Sequence, residues 1–166
     1  MEEIEVPLEG LHETINERAK EEKNWTMDVA ISTAFMAVFA AISGMLAGHY
    51  SNEALIQQIK ASDQWAYYQA KGIKGQIATI SSGKDSAGIL KYKGEQNIIK
   101  EKADNFEKES ELLLKKHVTL AYSVTLFQIA IAISAISILT RKKLLWYTAI
   151  LLAFVGVGFF VLHYLS

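Results

Sequence analysis

Two imidazoles and one polar pair are the residues of this sequence whose types and spacing could do chemistry. His49 and His117 stand at the ends of two long apolar blocks. If those blocks are helices of one hairpin, the two rings come within about a turn of each other, placed to bind a metal or to sense pH. Two ligands fall short of a closed metal site, and Glu53 lies off the helical stripe that carries His49. No metal or cofactor is therefore expected, and the bland role for both rings is that of interfacial polar anchors. Thr125 and Gln128 are one turn apart inside an apolar block. An inter-helix hydrogen bond suits them better than a transport site, because no ionisable group accompanies them. Gly83-Lys84-Asp85-Ser86 lacks the upstream glycine of a phosphate-binding loop and sits between helical patterns, so it reads as a turn. There is no cysteine, no HExxH and no nucleophile elbow, and neither catalytic residues nor enzymatic activity are expected.

The elements that would carry these residues are uneven in composition. Of 166 residues 51% are apolar, and they gather in three uncharged blocks. Val29–Gly48 has twenty residues, Val118–Thr140 twenty-three and Leu144–Leu165 twenty-two. Each can cross a hydrocarbon core of roughly 30 Å at about 1.5 Å per residue. A chain this short cannot bury three such helices on all sides. The expected fold is an all-α integral membrane protein, with three transmembrane helices and a long antiparallel helical (coiled-coil) hairpin between the first and second. The net charge of −1 gives no general attraction to nucleic acid, and the expected partner is the lipid bilayer. The first block is too long, and its upstream segment too acidic, for a cleaved signal peptide.

Residues 1–24 carry eight Glu and the single proline, Pro7. Leu8, Leu11, Ile15 and Ala19 recur at helical spacing there, so this segment reads either as an interfacial amphipathic helix or as a solvated acidic tail. Transmembrane helix 1 is expected over 25–48, with Trp25 as interfacial anchor and Asp28 in the first turn, favoured by the helix dipole. The extramembrane hairpin takes 49–116, turning at 81–88. Transmembrane helix 2 takes 117–140, a basic turn 141–143, and transmembrane helix 3 144–166. Arg141-Lys142-Lys143 places that turn and the N-terminus in the cytoplasm, and hence the hairpin in the periplasm.

The first helix shows two stripes about 200° apart, counting 100° per residue. One is large, running from Phe35, Val38, Ile42 and Met45 through His49, Ile56, Ile59 and Asp63 to Ile73, Ile77 and Ile80. The other is small, with Ala37, Ala40, Gly44, Ala47, Ala54, Ala61, Trp65, Tyr68, Gly72 and Gly75. On the second arm a single seam repeats at Ile89, Tyr92, Gln96, Ile99, Ala103, Phe106, Ser110, Leu113 and His117. Pairing about the turn puts Ile80 near Ile89, Ile77 near Tyr92, Ala70 near Ile99, Ile59 near Ser110 and Ile56 near Leu113. The large stripe is thus expected to meet the second arm. The small one, with its Trp65 and Tyr68 patch, is expected to form the interface with another subunit or protein.

The runs Gly48–Leu55 and Gln58–Lys71, with the string KASDQWAYYQAK, and Thr125–Ala132 resemble a bacterial membrane-protein family catalogued as domain of unknown function 4337. The resemblance covers most of the chain and implies a multi-pass protein of the bacterial inner membrane with this three-span layout. Members are often His-rich ahead of the first span, whereas here Leu11–Arg18 holds only His12. No activity comes with the family.

The function expected from all this is a non-enzymatic oligomeric membrane scaffold or accessory subunit that associates through its first long helix, as a homo-oligomer or within a larger membrane complex. One alternative is a small channel or transporter with a pore lined by Thr33, Ala37, Ala40 and Gly44. Another is a pH or metal sensor built on His49 and His117.

Overall fold

With its one proline at position 7, the chain has no residue beyond Leu8 that must break an α-helix. The computed structural model describes residues 8–81 and 86–165, with side chains described for 12–80, 88 and 90–165. Three helices make up nearly all of it. They are α1 (Leu8–Ser81, 74 residues), α2 (Ser86–Thr140, 55 residues) and α3 (Lys143–Leu162, 20 residues). No strand occurs among the described residues. Each helix holds a stretch long and apolar enough to cross a membrane, which is compatible with a multi-pass membrane protein.

The turn expected at 81–88 has Ser81 in α1 and residues 86–88 in α2, while residues 82–85, like the Ile89 side chain, lie outside the described residues. At the N-terminal side α1 passes residues 24 and 25 without a break, so residues 8–24 are the opening turns of the same helix. Asp28 consequently loses the role expected from the helix dipole, which acts within the first turn only. Trp25 is 8% exposed, so protein covers the indole expected at an interface.

The chain forms two compact units, one of residues up to Ile42 with Tyr122–Phe159, the other of Ser43–Ala121 with Phe160–Ser166. The first is apolar at its core. Its core joins Met36 of α1, Phe127 and Ala130 of α2 and Ala149 of α3, with Phe39, Ile131, Ile150 and Val157 packed around them. Phe39 stacks on Phe127 at 5.8 Å between centroids. Gly156 of α3 lies against the same ring, where a Cβ would stand 3.3 Å from Phe127 Cε1. The Ser123 hydroxyl donates to the Gly156 carbonyl at 2.8 Å, and Trp146 Nε1 donates to Ser32 Oγ at 3.1 Å.

The connection from α2 to α3 is short because α2 closes on itself. Arg141 takes a left-handed φ of 54°, while its N–H bonds the Ile138 carbonyl and the Lys142 N–H that of Ser137. This pair of bonds is a Schellman cap, in which glycine is the usual left-handed residue. The basic turn thus takes its shape from the backbone, although Arg141 also reaches Glu22 at 3.3 Å.

Enlarging Gly156 would push Phe127 out of the core. Gly156→Leu is expected to cost about 1–3 kcal/mol by overpacking, read as a lowered unfolding temperature in detergent, whereas Gly158→Leu, whose Cβ meets nothing within 4 Å, should be near neutral.

Candidate functional site

The second unit is organised around a seam of small and polar side chains. Three side chains of α2 donate to backbone carbonyls of α1: His117 Nδ1 to Ala47 at 2.8 Å, Ser110 Oγ to Ala54 at 2.9 Å and Gln96 Nε2 to Tyr68 at 3.2 Å. Because a carbonyl only accepts, the first bond assigns the His117 proton to Nδ1. As the residue number climbs by seven or fourteen along α1, it falls by as much along α2. The same register sets Ala61 opposite Ala103, and both are 0% exposed. A helical carbonyl keeps a second lone pair after accepting its own N–H, so each bond adds to the helix without breaking it. Such bonds need the two backbones close together. Ala47, Ala54, Ala61 and Gly72 provide that closeness, the Gly72 site lying so near the Gln96 amide that a Cβ there would stand 2.7 Å from it.

This packing corrects the expected assignment of faces in the second unit. From Ala47 onward the small stripe is covered within the chain: Ala47, Ala54 and Ala61 are buried, and Trp65, Tyr68, Gly72 and Gly75 are half-buried. Trp65 Nε1 donates to Glu107 Oε1 at 2.8 Å, and the Trp65 and Tyr68 rings meet edge to face at 5.6 Å. It is the large stripe that stays open, with Ile77 58% and Ile80 84% exposed. Accordingly Ser110 meets Ala54, not Ile59. On α2 the seam itself falls where its spacing puts it, since Ile99, Ala103 and Ser110 are buried while Lys91, Glu101, Asn105 and Lys108 are exposed. In the apolar unit Ala40 packs beside the core and Ala37 is exposed; Gly44, just beyond that unit, is exposed as well.

Each histidine has a partner of its own. His49 Nε2 lies 3.3 Å from Glu53 one turn along the same helix, in the open, whereas His117 is engaged with Ala47. Among the described residues no three His, Cys, Asp or Glu side chains group as a metal site. Sequence reasoning missed His163, which is 1% exposed and packs its ring 6.0 Å from that of Tyr50, while Lys116 lies over Tyr50 at 5.9 Å. Its signal was a polar ring in an otherwise apolar tail. Thr125 and Gln128 are both exposed, because α2 turns the face of Ser123, Phe127, Ala130, Ser134 and Ser137 inward. The buried polar groups of the apolar unit are therefore serines, the signal being small residues at 3–4 spacing.

One ion pair joins α1 and α2 beside the seam. Lys71 Nζ meets Glu95 Oε2 at 2.5 Å, and the ammonium also lies over the Tyr67 and Tyr92 rings. The hydrogen bond from Lys71 holds the Glu95 carboxyl below its ordinary value of 4.5, and the bond to Glu95, helped by Tyr67, raises Lys71 above 10.5. Glu95 therefore contributes stability above its unfolded value, lost as pH falls through the lowered folded one; Lys71's share is lost only as pH rises past its raised value. Glu95→Gln should lower the melting temperature at pH 7, and the difference from the parent should close as pH falls below 4.5 and through the lowered folded value.

Two substitutions measure the seam. Ala61→Leu should cost about 1–3 kcal/mol by forcing α1 and α2 apart, and Ser110→Ala about 0.5–1.5 kcal/mol for its lost bond. Asn105→Leu, on the open back of α2, should stay within about 0.5 kcal/mol in the same melts.

No curated protein and no solved structure matches the chain significantly. The family described as Domain of unknown function (DUF4337) matches over residues 25–88 and 83–166, which together cover all of the chain from Trp25 onward. Those stretches contain the three apolar blocks, both helices of the polar seam and the Trp65 string. The chain belongs to the DUF4337 family.

Proposed function

We propose that this protein is a non-enzymatic membrane scaffold or accessory subunit of the bacterial inner membrane, assembling as a homo-oligomer or within a larger membrane complex. The three apolar helices cross the bilayer. Residues 49–116 stand outside it as an antiparallel, coiled-coil-like hairpin on the periplasmic side, and the N-terminus and the basic turn 141–143 face the cytoplasm. The observation that carries this reading is α1 itself. A single uninterrupted helix holds both the apolar block and the polar arm, with one face closed by α2 and the opposite one left apolar to solvent. An apolar stripe on a polar arm is a surface for association. Gln128 adds to this, since its exposed amide would face lipid unless another helix meets it.

Extraction in mild detergent followed by light scattering should give a protein mass that is a multiple of the 18.5 kDa chain, or one chain with a co-purifying protein. A single bare chain would contradict the reading. For orientation, an impermeant thiol reagent applied from the periplasmic side should label Asp104→Cys and leave Lys142→Cys unlabelled.

A further inference from the structure

Five isoleucines of the polar arm, Ile56, Ile59, Ile73, Ile77 and Ile80, lie on one 3–4 stripe whose middle positions are Asp63, Ala66 and Ala70, and each isoleucine is half or more exposed. The chain's own α2 cannot cover them, because it lies on the opposite face of α1, bonded to Ala54 and Tyr68. Apolar residues repeating every seven positions over more than three turns fit another helix of the same repeat. We propose that this stripe binds the same stripe of a second copy of this chain, standing parallel and in register in the same membrane. The inference rests on the membrane-anchored, oligomeric reading above and names its partner and its surface.

Anchoring decides the direction, because two copies inserted the same way in one membrane carry this arm parallel. With Ile56 and Asp63 as first positions of the heptad, Lys60 and Lys74 flank the stripe on one side and Leu55, Ser62 and Gln69 on the other. In a parallel pair the flanking contacts join Leu55 to Lys60, Ser62 to Tyr67 and Gln69 to Lys74 of the neighbouring copy, so the flanks oppose no like charges and the facing Asp63 carboxylates are the one like-charge contact of the stripe. An antiparallel pair that matches Ile56 with Ile80 would bring Lys60 against Lys74 at both ends. Asp63 meets its own copy in the parallel pair. Two facing carboxylates at such a position weaken the assembly, so an apolar residue there strengthens it.

Area explains why anchoring matters. The stripe is about 36 Å long on a helix about 10 Å wide. A pair therefore buries roughly 700 Å² in total, short of the ~1,000 Å² that a stable free interface needs. Confinement of both copies to one bilayer supplies the missing effective concentration.

The test uses the full chain in lipid vesicles, where the absence of native cysteine makes single-cysteine variants clean. Under mild oxidation Ile77→Cys should form a disulfide-linked dimer several-fold faster than Lys108→Cys. Adding Asp63→Ile should increase the yield, and adding Ile73→Asp should abolish it. Gain from the first change and loss from the second cannot both come from misfolding. The proposal is overturned if Ile77→Cys is no faster than Lys108→Cys, if Asp63→Ile leaves the yield unchanged, or if Ile56→Cys links to Ile80→Cys in mixed vesicles, the mark of an antiparallel pair. Should the dimer fail while the mild extract still holds an oligomer or a co-purifying protein, this surface is wrong and the scaffold reading stands. A bare monomer there would sink both.

Discussion

A carbonyl inside an α-helix accepts one N–H from its own helix and still carries a lone pair, and this chain uses that spare capacity to hold its long helices together. In the polar unit His117, Ser110 and Gln96 of α2 reach carbonyls of α1, and in the apolar unit Ser123 of α2 reaches one of α3. In all four the donor is an α2 side chain. Each bond is worth only about 0.5–1.5 kcal/mol net. Their weight lies in what they require: a short side chain can touch a neighbour's backbone only where the facing residue is no larger than alanine or glycine, or leaves a gap beside it. Ala47, Ala54 and Gly156 meet that condition at the carbonyl itself, and Gly72 meets it beside Tyr68.

From that constraint the choice of faces on α1 follows. A stripe of isoleucines at 3–4 spacing is what a buried seam in water ordinarily looks like, so the sequence points to it as the contact with α2. Burying large side chains there would have held the helices too far apart for serine, histidine and glutamine to reach a carbonyl. The seam of α2 was legible, because Ile99, Ala103 and Ser110 lie on a small or apolar line whose back carries Lys91, Glu101, Asn105 and Lys108. The apolar blocks were legible for the same reason of contrast. The face of α1 was not, since hydropathy counts the size of what is buried and takes no account of how near two backbones come. Thr125 and Gln128 misled in a related way: inside an apolar block the polar residues that pack are serines at 3–4 spacing, and a larger amide off that line turns outward.

The outward stripe then has two settings. Along the apolar block, Phe35, Val38 and Ile42 are exposed residues that the bilayer of the proposed reading would solvate. Along the polar arm Ile59, Ile73 and Ile77 have no such solvent, and an exposed apolar line in water marks a place of association. On this account a single helix keeps its small face for the chain's own second helix and its large face for what lies outside the chain. The histidines fit the same division. His117 belongs to the internal seam, and His49 sits in the open with Glu53.

The most direct measurement is a pair of double-cysteine variants of the full chain, oxidised and compared for disulfides formed within one chain. Ala61→Cys with Ala103→Cys should close readily, because both positions are fully buried and stand opposite each other in the hydrogen-bonded register, and a disulfide needs Cα atoms within about 7 Å. Ala70→Cys with Ile99→Cys, the pair that the large-stripe pairing would align, should not. Closure of the second pair and not the first would mean that the isoleucine face is the internal seam, and would contradict the account.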